Sequence, residues 1–141
     1  MREILFRGQV IGSLKWVEGF YFREAGNFIK ELPSAVSTET HMVYEDTVGQ
    51  YTGLTGKNGT KIFEGDILES RTSENKEDWK IWKVCFENGS FAFDSVRKSI
   101  KSRRKFKHEQ NLLCVEEIEF YGLVKIGNIH DNPELLKEGA E

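Results

Sequence analysis

Between Thr47 and Leu68 the chain sets Gly49, Gly53, Gly56 and Gly65, with an Asn58-Gly59 pair, among short apolar runs. Such a segment cannot be a long helix, because glycine spaced this closely removes helix propensity at every turn. It specifies reversals instead. Asn-Gly suits a tight hairpin turn whose two central residues need positive φ. Glu64-Gly65-Asp66 makes a second reversal, and Ile67-Leu68-Glu69 starts a new strand. Short strands with glycine at the corners are how a narrow sheet is bent into a small barrel or roll.

The rest of the chain repeats this grammar. Residues 3–7 and 14–23 read as strands, and Gly26-Asn27 offers the positive-φ tolerance for a hairpin between Phe20-Tyr21-Phe22 and Phe28-Ile29. Residues 32–46 are polar and read as a loop, interrupted by a short strand around Met42-Val43-Tyr44. Arg71–Asp78 is a solvated loop. In the run that follows, Trp82, Val84 and Phe86 share one strand face at period two, and Trp79, Ile81 and Cys85 fall largely on the other. A second Asn-Gly pair, Asn88-Gly89, leads to a strand whose Phe91 and Phe93 share a face. Leu112–Val115 and Ile118–Ile126 carry strand character. Near the end, Asn132 suits a helix N-cap, Pro133 the first helical position and Glu134 the first turn, with Leu135 and Leu136 placed to dock. No internal repeat is evident.

These signals point to a mainly β chain, a small bent barrel or roll of short antiparallel strands with one or two short helices, one of them C-terminal. At 141 residues it reads as a single domain over 1–141, with an N-terminal sub-region at 1–46 and a barrel-like region at 47–126. A chain of this length buries about 68–70% of its unfolded surface and needs no disulfide or metal to fold. Met1–Gly8 regains charge before any apolar core builds, unlike a signal peptide. No run reaches the roughly 18 apolar residues of a membrane helix. Cys85 and Cys114, 29 positions apart, have no metal or redox spacing and read as buried reduced thiols. The expectation is a cytoplasmic protein with no membrane partner.

Charge is unevenly placed. Arg97, Lys98, Lys101, Arg103, Arg104, Lys105 and Lys107 lie within eleven residues with no acid, leaving 13 basic against 23 acidic side chains elsewhere. With Phe106 beside them, these cations are the candidate contact for nucleic acid or an acidic protein partner. The alternative is a solvated segment that offsets the acidic remainder, and a pI of about 5.7 argues against a dedicated nucleic-acid binder.

Other chemistry is thin. Glu64 and Asp66, two residues apart, could serve as acid and base or hold a divalent cation, but Glu-Gly-Asp is also ordinary turn chemistry. His130, Asp131 and Glu134 cluster at a helix start, where capping is the favoured role. His41 and His108 stand alone. Gly53–Gly59 contains Gly-Lys without the spacing or the following helix of a phosphate loop. Phe20, Tyr21, Phe22, Trp79, Trp82, Phe91 and Phe93 could line a groove, though period-two aromatics are more often core. Seventeen aromatic residues exceed what one small barrel buries, which favours some facing another subunit.

Three segments carry a family resemblance: Ile4–Gly8 with Trp16–Gly19, Thr47–Ile67, and Ile126–Leu136. Together they resemble the YopX family of phage and prophage proteins. The resemblance implies an SH3-like barrel, homo-oligomer assembly and a phage or prophage source within a bacterial cell, and it supplies no activity or catalytic residues. The segments 70–78 and 97–108 match no part of the family pattern. The functional expectation is a non-enzymatic accessory protein that binds as an oligomer and uses no cofactor. A metal-assisted hydrolase using Glu64, Asp66 or His130, and a purely structural phage subunit, are the alternatives.

Overall fold

The computed structural model describes residues 3–32, 39–95 and 110–136. Strands dominate, as the turn pattern predicts, and the contacts divide the chain into two compact units, Met1–Gly53 and Leu54–Glu141. The strands form two antiparallel sheets, neither closed into a barrel.

In the first unit, β1 (Phe6–Gln9), β2 (Trp16–Arg23), β3 (Asn27–Glu31), β4 (Thr40–Met42) and β5 (Gly49–Thr55) are ordered β4-β3-β2-β1-β5. Alternation sorts their side chains. Val17, Ile29 and Val43 are buried together, with Phe6, Val10, Tyr21 and Val48 against them. Tyr21 Oη donates to Asn27 Oδ1 at 2.6 Å, tying β2 to the start of β3. The β2–β3 turn places positive φ on Ala25 and not on Gly26 or Asn27. Asn27 is already paired with Arg23 in the ladder, so the reversal closes one residue earlier than composition suggests. At Gly19 the backbone of β3 leaves no room for a side chain, since a Cβ there would stand 2.0 Å from the Lys30 carbonyl oxygen.

In the second unit the hairpin from the end of β5 to β6 (Lys61–Phe63) turns through Gly56–Gly59. Gly59 N–H donates to Gly56 C=O at 2.9 Å, and Gly56 N–H to Thr60 C=O at 2.9 Å. Only Gly59 takes positive φ, while Asn58 stays at negative φ with its Oδ1 accepting from Thr60 N–H. The extra turn residues remove the need for two consecutive left-handed positions. Asn88 and Gly89 both adopt positive φ, as a two-residue hairpin demands.

The second sheet is ordered β10-β9-β8-β7-β11, comprising β7 (Asp66–Ser70), β8 (Ile81–Glu87), β9 (Ser90–Ser95), β10 (Gln110–Leu112) and β11 (Leu123–Asn128). Its core gathers Ile62, Leu68, Trp82, Val84, Phe93, Leu113, Ile118 and Leu123. Trp82 meets Phe93 edge-on at 4.9 Å, and Tyr121 closes the cluster at 5.7 Å from Trp82 and 5.8 Å from Phe93. Trp82 and Val84 are buried as their shared face predicts. Phe86 is half exposed at the strand end, packed on Phe91.

Val115–Tyr121, which reads as strand in sequence, is instead the helix α1. Ile118 and Tyr121, three residues apart, face the core. Glu116 and Glu117 occupy the favourable first turn, and Gly122 ends the helix at φ 58°. The expected C-terminal helix is a short 3-10 turn, Pro133–Leu136. Asn132 does not spend its side chain as a cap: Oδ1 accepts from Asn128 N–H at 3.3 Å, closing the turn before it. Cys85 and Cys114 are free thiols and only half-buried. Among the described residues no helix is long and apolar enough to cross a membrane.

Candidate functional site

The Glu-Gly-Asp reversal is built as architecture. Gly65 adopts φ 90°, donates its N–H to Val84 C=O at 2.9 Å and accepts from Ile129 N–H at 2.9 Å. Asp66, wholly shielded from solvent, accepts the Phe63 N–H on Oδ2 at 2.6 Å, and Lys125 Nζ stands 3.2 Å from the same oxygen. Lys125 also lies 5.8 Å from the centre of the Phe63 ring. A carboxylate held this way locks a corner between β6 and β7, and a charged pair and a backbone donor already claim it. Glu64 sits half-buried in the same turn.

His130 lies in the turn that ends β11. Asn128 Oδ1 accepts from both His130 N–H and Asp131 N–H at 2.9 Å, and Asn128 Nδ2 donates to Asp131 Oδ2 at 3.1 Å. Asn128 pairs in register with Asp66, so the topology brings the Asp66 and His130 turns to one end of the β7–β11 ladder. Their ligand atoms do not form a three-donor group; among the described residues such groups are Glu31, Glu39 and His41, and Cys85, Glu87 and Asp94. The first of these has no counterpart in the sequence reading, because eight residues separate Glu31 from Glu39 and only the β3–β4 register joins them.

Of the seven aromatic groove candidates, Trp82 and Phe93 are core and Tyr21 and Phe91 are half-buried. Trp79 organises the 71–78 loop: its Nε1 donates to Ser73 C=O at 2.8 Å, and Arg71 and Lys76 lie over its ring. Phe20 and Phe22 remain open, 51% and 38% exposed on the outer face of β2. Register extends this face: Phe22 pairs with Phe28, whose ring stacks on it at 5.3 Å, and Phe28 pairs with Met42, itself 46% exposed. The result is an apolar row across three strands, flanked by Lys30.

Arg97, Lys98, Lys101, Arg103, Arg104, Lys105 and Lys107 lie outside the described residues. Their stretch joins β9 to β10, which pair antiparallel with Gln110 opposite Asp94 and Leu112 opposite Ala92.

Residues 18–137 match the family described as YopX protein. The chain belongs to the YopX family. This agrees with the resemblance of its N-terminal, glycine-rich and C-terminal segments. Among solved structures, protein EF1440 from Enterococcus faecalis is similar to this YopX chain with a TM-score of 0.59 and 23% sequence identity, over 97% of this chain and 100% of its own. At that identity the likeness shows a shared fold. No curated protein matches the sequence.

Proposed function

We propose that this YopX-family chain is a non-enzymatic binding module that works as a homo-oligomer, an accessory protein of a phage or prophage acting in the cytoplasm of its bacterial host. The observation that carries the reading is the open apolar row of Phe20, Phe22, Phe28 and Met42 on the outer face of β2, β3 and β4. Scattered exposed apolar residues are ordinary, but a contiguous row with a stacked aromatic pair has the make-up of an interface centre and supports this reading. A second copy is a natural occupant, because a two-fold axis through the row sets the same side chains against themselves. A stable contact covers about 800 Å² per partner, so these four side chains form its core and the neighbouring polar residues its rim.

The basic stretch 97–107 is the proposed contact to nucleic acid or an acidic partner. Assembly would present several copies of its seven cations at once, raising the strength of a weak individual contact through effective concentration. The resemblance to phage and prophage proteins supports the source. The hydrolase alternative has less support, because the Asp66 carboxylate is committed to Lys125 and the Phe63 N–H.

Two differently tagged copies test the assembly: they should co-purify, and Phe20→Glu with Phe22→Glu in both should separate them. Capture of partners from host lysate with and without nuclease tests the cations. Nucleic-acid retention that falls with salt and is lost when Arg103, Arg104 and Lys105 become Ala supports the contact, and unchanged retention in that variant removes it. Tagged copies that never associate would refute the oligomer.

A further inference from the structure

We propose that Glu31, Glu39 and His41 form a binding site for a first-row divalent cation, with Zn²⁺ as the best match to the donor set. In the β3–β4 pairing Ile29 stands opposite His41 and Lys30 opposite Thr40. One step further Glu31 faces Glu39, with Glu31 N–H donating to Glu39 C=O at 2.9 Å. Two carboxylates directly opposite on one sheet face repel each other, and a cation bound between them relieves that repulsion.

The spacing favours a metal over a direct contact. His41 Nε2 lies 3.5 Å from Glu31 Oε1 and 3.6 Å from Glu39 Oε2. A charge-assisted hydrogen bond would draw these atoms to about 2.7–2.9 Å. Bonds of about 2.0–2.1 Å to a tetrahedral ion place ligand atoms roughly 3.4 Å apart, close to what is seen. His41 Nε2 is shielded from solvent and makes no hydrogen bond, while it points at both carboxylates. One imidazole and two carboxylates suit Zn²⁺, and three protein ligands leave one position for water or an incoming ligand. Cys85, Glu87 and Asp94 make a weaker candidate, since Lys83, a cationic residue, stands opposite Asp94 in the β8–β9 register. At the edge strand β4, the ion would clip the end of β3 to the start of β4.

The test is titration of the chelator-treated full chain with Zn²⁺ by calorimetry, with Co²⁺ as a visible-absorption probe of four-coordination. One ion per chain is expected, with a rise in thermal midpoint. His41→Ala should weaken binding at least about 100-fold, beyond the range seen on removing outer-shell partners. Glu39→Gln, at a largely exposed side chain, should keep the fold and also weaken binding. His130→Ala and Cys85→Ser should leave affinity unchanged. Absence of Zn²⁺ binding, full affinity in folded His41→Ala or Glu39→Gln, or loss of binding in His130→Ala or Cys85→Ser would overturn the assignment.

Discussion

Lys125→Met should be among the most destabilising single changes outside the apolar core, and its size follows from the Asp66 corner. Asp66 has no solvent to fall back on, and its cation stands 3.2 Å away. Removing one partner of a buried ion pair costs about 3–5 kcal/mol, because the remaining charge stays buried without its counter-ion. The Lys125 side chain is 20% exposed, so some water reaches the site and the lower end, about 3 kcal/mol, applies. At roughly 3 °C per kcal/mol for a chain of this size, the midpoint should fall by about 10 °C. Adding Asp66→Asn to Lys125→Met should recover about 2 kcal/mol, since Asn keeps an acceptor for the Phe63 N–H and removes the stranded charge. Urea unfolding of wild type, both single variants and the double variant measures the cycle. A Lys125→Met cost below about 1 kcal/mol, or a double variant less stable than Lys125→Met, would refute the structural role assigned to Asp66.

Other outcomes follow from single positions. Gly19→Ala should disrupt the β2–β3 pairing, because its Cβ would sit 2.0 Å from the Lys30 carbonyl oxygen and 2.9 Å from the Glu31 Cα; amide exchange in β3 should accelerate relative to wild type. Ala25→Gly should stabilise by about 1 kcal/mol in urea unfolding, because Ala25 holds φ 53° on an exposed turn. The Glu116 carboxyl sits below the ordinary glutamate value because its own backbone N–H and then the Cys114 side chain donate to it. A lowered folded value means its stabilising effect on the start of α1 is present above the ordinary glutamate range and is lost as pH falls through the lowered value. Glu116→Gln should remove that part of the acid dependence, read by pH titration of stability.

Local chemistry carried the sequence reading wherever the turn itself decides the outcome. Asn88-Gly89 is one case: both residues tolerate positive φ, and the flanking strands reverse there as expected. The same logic misplaced Asn58, where a longer turn needs only Gly59. Helix α1 was hidden because Leu112–Val115 and Ile118–Ile126 look like one apolar run. Its signals were Glu116 and Glu117 in the first turn and Gly122 just past the end, outweighed by the β-branched and aromatic residues around them. Contacts set by register were beyond reach. Asp66 meets Lys125, and Glu31 meets His41, only because particular strands pair in particular alignment. The open row needed register as well, since Phe20 and Phe22 were visible as aromatics while Phe28 and Met42 join them only across β3 and β4.

Sedimentation equilibrium of the full chain over a wide concentration range reads the proposed assembly itself. The monomer mass is 16.3 kDa. The wild type should sediment at a whole multiple of that mass, and a folded Phe20→Glu, Phe22→Glu variant at the monomer mass. A wild-type chain that stays at the monomer mass throughout, or a charged variant that still assembles, would contradict it.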